Sequence, residues 1–581
     1  MTKYSDEKNV QILIALLKAH GINNVVASPG GTNIAVVGSL QNDEWFNVVS
    51  AVDERHAAYV ACGMALELNK PVMLSCTGAT ASRNYMPALT EAYYRKLPLL
   101  VVTSSQVGSR IGNLFAQVTD RSCLPADIAN FSATIQPVRS IADNAKASQT
   151  INTAILAVER RGGGPAHINL ETEYVQTFNT TCLPIVEMIK RIDATFDGSP
   201  ELGSQSKIAV WIGSHKAFSE RQRLALDAFV KSHNAVVLHD HTSSYYGDVG
   251  VVSAIGTAQS GLHRIAELKP DLIVHIGEVS GDYFTTGYLN NRADVWRISP
   301  DGEVRNTFGR LRYVFEMPEE IFFEHYTLSR LSNATPLYCK LWRNYIEEMR
   351  NRIGELPFSN TWIAQTTAGR IPCGSTVHFA ILNSLRSWNN FNLPAGVVSS
   401  GNVGGFGIDG CTSTLIGSSL IKKDNLCICV TGDLAFFYDI NAIGNRHIGK
   451  NLRILLINNG CGGEFLRFEV VKDQLGDGIC DYIAAEGHFG SKSKTIVKNF
   501  AEELGFKYLS ASCKDEYLSH IDDFLTESDN PILLECFTMA ECDVVAAKTV
   551  ETLDTSLSMR SSMSQIMPTS LKKAIKTILN K

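Results

Sequence analysis

The feature that most constrains this chain is a series of short, continuous apolar runs. They include VMLSC at 72–76, LPLLVVTS at 97–104, IAVWIGS at 208–214, AVVLHD at 235–240 and LIVHIG at 272–277. Further along come LCICVTGD at 426–433, LRILLINNG at 452–460 and PILLECF at 531–537. A strand with one wet face alternates polar and apolar residues, and these runs do not. They read as strands buried on both faces, which parallel sheets covered by helices require. NNVVAS at 23–28, FNVVSAV at 46–52, DVWRIS at 294–299 and VVSSGNVGG at 397–405 are further strand candidates. AHINL at 166–170 reads as the last strand of the first group. Helix-length stretches lie between, such as 54–69, with Ala57, Ala58, Ala61 and Met64 on one face. The alternation predicts an α/β chain of three consecutive open, mostly parallel sheets. The expected domains are 1–185, 190–345 and 360–550, followed by a tail at 551–581. Residues 190–206 read as a polar, turn-rich linker, and 327–360 as mixed helical chain crossing to the third domain. The first and third domains look like two versions of one layout. The basic amphipathic end, SLKKAIKTILNK, reads as a solvated terminal helix, with a lid or partner contact as the alternative.

Composition excludes several classes. The 581 residues carry 53 Lys and Arg against 59 Asp and Glu, a net charge of −6, with no basic run to hold nucleic acid. No uninterrupted apolar stretch is long enough to span a membrane. The N-terminal MTKYSDEKNVQ lacks the pattern of a secretory signal, so a cytoplasmic location is expected. None of the 14 cysteines forms a C-x-x-C pair. Cys76, Cys427, Cys429 and Cys536 sit in apolar runs, so buried reduced thiols are expected rather than a disulfide framework.

Chemistry concentrates in 431–465. An apolar run ends in Gly432-Asp433-Leu434, a helix-like segment follows, and a second apolar run ends in Asn458-Asn459. Asp433 and Asn459 are 26 residues apart, the span of one βαβ unit. Parallel neighbours would deliver both to the carboxyl edge of a sheet, where open α/β sheets bind ligands. A carboxylate, an amide oxygen and a backbone carbonyl make a partial oxygen shell suited to Mg²⁺, completed by phosphate oxygens and water. The helix after Gly432 would aim its N-terminus at those phosphates. Taken singly, the two halves also read as an aspartate helix cap and an asparagine turn.

This pattern resembles the thiamine-diphosphate-dependent enzymes, the acetolactate synthase and pyruvate decarboxylase superfamily. Their motif is G-D-G or G-D-L, about two dozen residues, then N-N, and here 23 residues intervene. The resemblance implies that Asp433 and Asn459 bind Mg²⁺ by side chain and Cys461 by its carbonyl. It places Gly432, Leu434, Ala435 and Gly462 around the diphosphate, with Ala435 where the family often has serine. It assigns Glu54, in AVDERHAAYVACGMA, to the aminopyrimidine ring, where it activates the cofactor for loss of its reactive proton. The loop GNVGGFGIDG at 401–410 corresponds to a diphosphate-holding loop, with Gly401 and Asn402 in it and Ile408 as the wedge that bends the cofactor. The three domains then become pyrimidine-binding, middle and diphosphate-binding. Glu54 and Asp433 would meet across subunits, making a homodimer the minimum unit and a tetramer an open alternative.

Two subfamilies compete. DERHAAYVACGMA, GFGIDGCTST and TGDLAFFYDINAI look most like the menaquinone-pathway synthase that joins the succinyl unit of 2-oxoglutarate to isochorismate. Three of its arginines are missing, with Thr32, Val403 and Leu420 in their places. Substrates with several carboxylates need such bidentate partners. The acetolactate-synthase-like subfamily has the Pro29-Gly30-Gly31 loop found here and a glutamine like Gln117. Gly30, Gly31, Gln117 and Phe465 are therefore the expected substrate contacts. The expected reaction is decarboxylation of a small 2-oxo acid, pyruvate first, with acyl transfer to a carbonyl acceptor, a sugar-pathway intermediate being one candidate. The alternatives are the 2-oxoglutarate synthase reaction, simple decarboxylation (for which the usual paired histidines are missing) and a cofactor-binding scaffold without catalysis. A flavin is not expected, because no clear G-x-G-x-x-G follows the run at 208–213. Glu464 is a candidate proton donor or acceptor-positioning group, its alternative being a solvent-facing glutamate. His56 beside Glu54 reads as a helix-surface or interface residue rather than a proton shuttle.

Overall fold

The computed structural model describes residues 2–554 other than 121–122, 204–206, 328–334 and 489–490. Its sheets are parallel throughout their described pairings, and the chain packs as two compact units. The first unit comprises residues up to Asp197 together with Gly302–Glu316, and the second comprises Gly198–Asp301 and the chain from Met317 onward.

In the first unit the strands are β1 (Asn24–Ala27), β2 (Asn47–Ser50), β3 (Val72–Thr77), β4 (Leu99–Gln106), β5 (Phe131–Ile135) and β6 (Ala166–Thr172). They lie in the order β2-β1-β3-β4-β6-β5. Successive residues feed opposite faces, as the pleat demands. Met73, Leu100 and Ile168 enter one core, and Leu74, Leu99 and Val101 the other. A short strand, β7 (Lys190–Ile192), falls inside the stretch expected as a linker and pairs with a strand at Leu311–Phe315 of the same unit.

The second unit opens with β8 (Ile208–Ile212), β9 (Ala235–His239), β10 (Gly250–Val252), β11 (Leu272–Ile276) and β12 (Asp294–Ile298). Their order is β10-β9-β8-β11-β12, a doubly wound arrangement. With Leu311–Phe315 numbered β13, the last sheet holds β14 (Thr376–Phe379), β15 (Val398–Gly401), β16 (Cys427–Gly432), β17 (Leu452–Asn458), β18 (Lys507–Ala511) and β19 (Ile532–Phe537). Its order is β15-β14-β16-β17-β19-β18, the same permutation as in the first unit. The two sheets are thus versions of one layout, as the sequence suggested. Ile428, Val430, Leu455 and Ile457 form one side of the core, and Cys429, Ile454 and Leu456 the other.

Cys76, Cys427, Cys429 and Cys536 are buried, and none of the described cysteines forms a disulfide. No helix among the described residues is long and apolar enough to cross a membrane. The basic C-terminal segment lies, from 555 on, outside the described residues.

Two buried histidines give the second unit an acid sensitivity. Burial pushes His239 and His378 down from 6.5 to about 4. Below pH 6.5 the unfolded chain takes up protons that the folded chain refuses, so stability falls as pH drops from 6.5 toward 4. Asp282 and Asp433, pushed up by burial from 3.8 to about 6 and about 7, work the other way. Each histidine is worth on the order of 1–3 kcal/mol at pH 4. His378→Asn should therefore shift the change in urea midpoint between pH 6.5 and 4 toward greater acid stability than in the parent. A change equal to the parent's would remove His378 as a cause.

Candidate active site

The pairing of β16 with β17 places Gly432 beside Ile457. The next residues, Asp433 and the Asn458-Asn459 pair, therefore leave the sheet at one carboxyl edge. β14 pairs with β16 on its other side, and β14 and β16 flank the point where the strand order reverses. Ligands of open α/β sheets sit in the crevice at such a point.

A cavity of about 260 Å³ occupies this crevice. Of the residues nominated from sequence, Ile408, Gly432, Asp433, Leu434, Ala435, Asn459, Cys461, Gly462, Glu464 and Phe465 all line it. Gly401 and Asn402 are not among its lining residues. Gly401 ends β15, and Asn402 bonds Thr414 at 3.2 Å. Ile408 packs against Ala380, Cys411 and Ala435.

Asp433 is 5% exposed. One carboxylate oxygen accepts from the N–H of Leu434 at 2.9 Å and the other from the N–H of Gly460 at 2.8 Å. Gly460 can present that N–H because its φ of +81° suits glycine. Burial pushes the Asp433 carboxyl up to about 7. Asn458 is turned away and donates to Glu535 at 2.7 Å, tying β17 to β19. Asn459 donates its amide N–H to Asp543 at 2.8 Å, while its amide oxygen accepts from the N–H of Cys461 at 3.2 Å. The Cys461 carbonyl accepts from Gly463 at 3.0 Å, and burial pushes its thiol up to about 12, so the sulfur is a poor ligand at neutral pH. The helix after Gly432 is only Asp433–Tyr438. Asp433, Leu434 and Ala435 of its first turn line the cavity.

Asp543 was not found from sequence. It stands six residues beyond β19, on the helix Ala540–Glu551, in a stretch with no motif of its own. Its carboxylate accepts from Asn360 N–H at 2.7 Å, from Asn459, and from the Thr538 hydroxyl at 3.0 Å. Glu464 is buried, not solvent-facing. It pairs with Arg386, from the helix Asn383–Trp388, and with Arg467 at 3.6 Å. Arg467 also pairs with Glu551, and Arg386 lies over the ring of Tyr283 at 4.6 Å. Four charges thus balance in one cluster, of which Glu464 lines the cavity.

The remaining candidates belong to the first unit. Glu54 opens the helix Glu54–Leu68, capped by Asp53, and accepts from Asn84 at 3.4 Å. His56 is exposed. Gly30 follows β1, where a Cβ would stand 2.3 Å from Cβ of Thr77, so only glycine fits. Beside Gly31, the Thr32 hydroxyl donates to the Ser104 carbonyl at 2.7 Å and bonds the Thr77 hydroxyl. Gln117 is exposed in a loop, with a φ of +63°.

Residues 8–122 match the family model for the thiamine pyrophosphate enzyme, N-terminal TPP binding domain. The 2-succinyl-5-enolpyruvyl-6-hydroxy-3-cyclohexene-1-carboxylate synthase of Bacteroides fragilis is 30% identical, over 92% of this chain and 97% of its own length. This chain belongs to the thiamine-diphosphate-dependent enzymes. Synthases of the same name from Phocaeicola vulgatus and Flavobacterium psychrophilum are 29% and 26% identical to this thiamine-diphosphate enzyme, over 93% and 91% of it and 97% and 95% of their own lengths. The thiamine-diphosphate-dependent 4-hydroxybenzoylformate decarboxylase of Rhodococcus jostii RHA1 aligns at a TM-score of 0.39 and 17% identity, over 92% of this chain and 99% of that one, too weak a likeness to build on.

The cofactor of such an enzyme is thiamine diphosphate, with Mg²⁺ as its usual partner. The cavity suits that pair. Two buried carboxyls, Asp433 and Asp543, face it, and burial raises both. A divalent cation offsets the cost of ionising them there. Among the described residues no cluster of three His, Cys, Asp or Glu side chains could hold a metal, and the nominated set needs none, being one carboxylate, one amide and one carbonyl. Asp433→Asn should weaken Mg²⁺-dependent binding of thiamine diphosphate at least ~10-fold. Fluorescence titration measures it, and an unaltered affinity in a folded variant would remove Asp433 from the site.

Proposed function

We propose that this enzyme is a synthase that decarboxylates a 2-oxo acid and passes the acyl unit to an acceptor, with 2-oxoglutarate as the first donor to test. Similarity along nearly the whole chain to enzymes named as 2-succinyl-5-enolpyruvyl-6-hydroxy-3-cyclohexene-1-carboxylate synthases carries this reading. A succinyl unit made by decarboxylation derives from 2-oxoglutarate.

Bound thiamine diphosphate supplies the stabilisation of the acyl carbanion. The chain's own residues hold and shield it. Asp433, Asn459 and the Cys461 carbonyl take the cation that carries the diphosphate. Ile408 and Leu434 supply apolar wall, which disfavours the charged carboxylate relative to its neutral product. Glu54, reaching the cofactor from a partner subunit, hydrogen-bonds its aminopyrimidine. Glu464 accepts a hydrogen bond from Arg386 and lies within ion-pair range of Arg467, which favours the positioning role over the proton-donor role.

One observation favours a second reading, with pyruvate as donor. The loop at Gly30-Gly31 carries Thr32, whose hydroxyl is already engaged, and Arg386 and Arg467, next to the cavity-lining Glu464, are already paired with glutamates. A second substrate carboxylate finds no spare cation in this set. CO₂ release decides between them, measured with thiamine diphosphate and Mg²⁺, with each oxo acid, with and without isochorismate. Release from 2-oxoglutarate, lost in Glu54→Gln, is the expected result. Release from pyruvate alone would replace it with the small-donor reaction. Release from neither, with the cofactor bound, would leave a scaffold.

A further inference from the structure

The Asn459 amide can sit in its socket two ways round, and only one serves a cation. With the oxygen toward the turn 459–461, the amide adds an electron-rich ligand. With the nitrogen there, it presents N–H donors that repel a cation and oppose the Cys461 N–H. Backbone geometry does not choose between these orientations, because the two ends of an amide have nearly the same shape. The partner at the other end must choose.

That partner is Asp543. Its three contacts all come from donors: the Asn360 N–H at 2.7 Å, the Thr538 hydroxyl at 3.0 Å and the Asn459 amide at 2.8 Å. Oδ1 of Asp543 takes the Asn360 N–H, and Oδ2 takes both the Thr538 hydroxyl and the Asn459 amide. An oxygen that already accepts from Thr538 offers Asn459 a lone pair, which suits its nitrogen and excludes its oxygen. The socket is also tight. A Cβ on Gly463 would stand 2.9 Å from Nδ2 of Asn459, so the side chain is walled on that flank. Asp543 itself is 9% exposed and lines the same cavity, which adds a negative charge close to where a cation would rest.

We infer that Asp543 is a positioning residue that sets the cation affinity of this site, by fixing the orientation of the Asn459 amide and by adding charge beside it. The inference rests on the cation–diphosphate reading of the cavity. Groups that hold a ligand's far end change metal affinity about 10- to 100-fold when removed.

The test is Mn²⁺ binding to the full-length apoenzyme with saturating thiamine diphosphate, followed by electron paramagnetic resonance. Asp543→Asn should raise the Mn²⁺ Kd ~10- to 100-fold. Asp543→Glu, which keeps the charge but displaces it, should raise it as well. Thr538→Val, which frees Asp543 to move without touching Asn459, should raise it less. A purely structural role would lower the unfolding temperature and leave the Kd of folded protein in place. A folded Asp543→Asn with an affinity within 2-fold of the parent overturns the inference. If that variant does not fold, Asp543→Glu and Thr538→Val decide, and parental affinity in both overturns it too. Parent protein that binds Mn²⁺ but releases no CO₂ from any oxo acid would overturn the synthase reading and leave this inference standing. Parent protein that binds no Mn²⁺ overturns both.

Discussion

The register of β16 on β17, with Gly432 beside Ile457, delivers an aspartate and an asparagine to one edge of a sheet covered by apolar side chains on both faces. Everything proposed for the site depends on that pairing. All seven residues of β17 are buried, so a slip by one residue would exchange its two apolar faces and present different groups at the edge. Packing on both sides of the sheet therefore fixes the chemistry at its end. The backbone N–H of Gly460 and that of Leu434 then complete the aspartate's hydrogen bonds, so its orientation follows from main-chain geometry.

The central strands were legible because burial on both faces leaves a continuous apolar run. The strands missed lack that signature. β5 and β18 lie at sheet edges, and their burial is intermittent, so FSATI and KYLSA read as ordinary half-exposed chain. β7 and β10 are only three residues long, too short for any period to register. β14 is central but short, and Thr376 and His378 interrupt its apolar character although both are buried.

The site divided along the same line. Groups next to a strand end in the G-D-L and N-N segments were found, because motif and strand coincide there. Asp543 lines the cavity from a helix, and Arg386 reaches its lining residue Glu464 from another, both through tertiary packing. Thr32, Val403 and Leu420 leave the three positions compared in sequence without a cation. The fold brings two other cations, Arg386 and Arg467, beside Glu464 and pairs them with acids far away in the chain.

That paired cluster limits how the enzyme can diverge. Arg386, Glu464, Arg467 and Glu551 sum to zero, and removing any one strands an opposite charge in a poorly solvated place. Single substitutions in this cluster pass through an unstable intermediate. Descendants that acquire a new substrate there must exchange charges two at a time, or leave the cluster alone and change the apolar lining around Ile408 and Leu434.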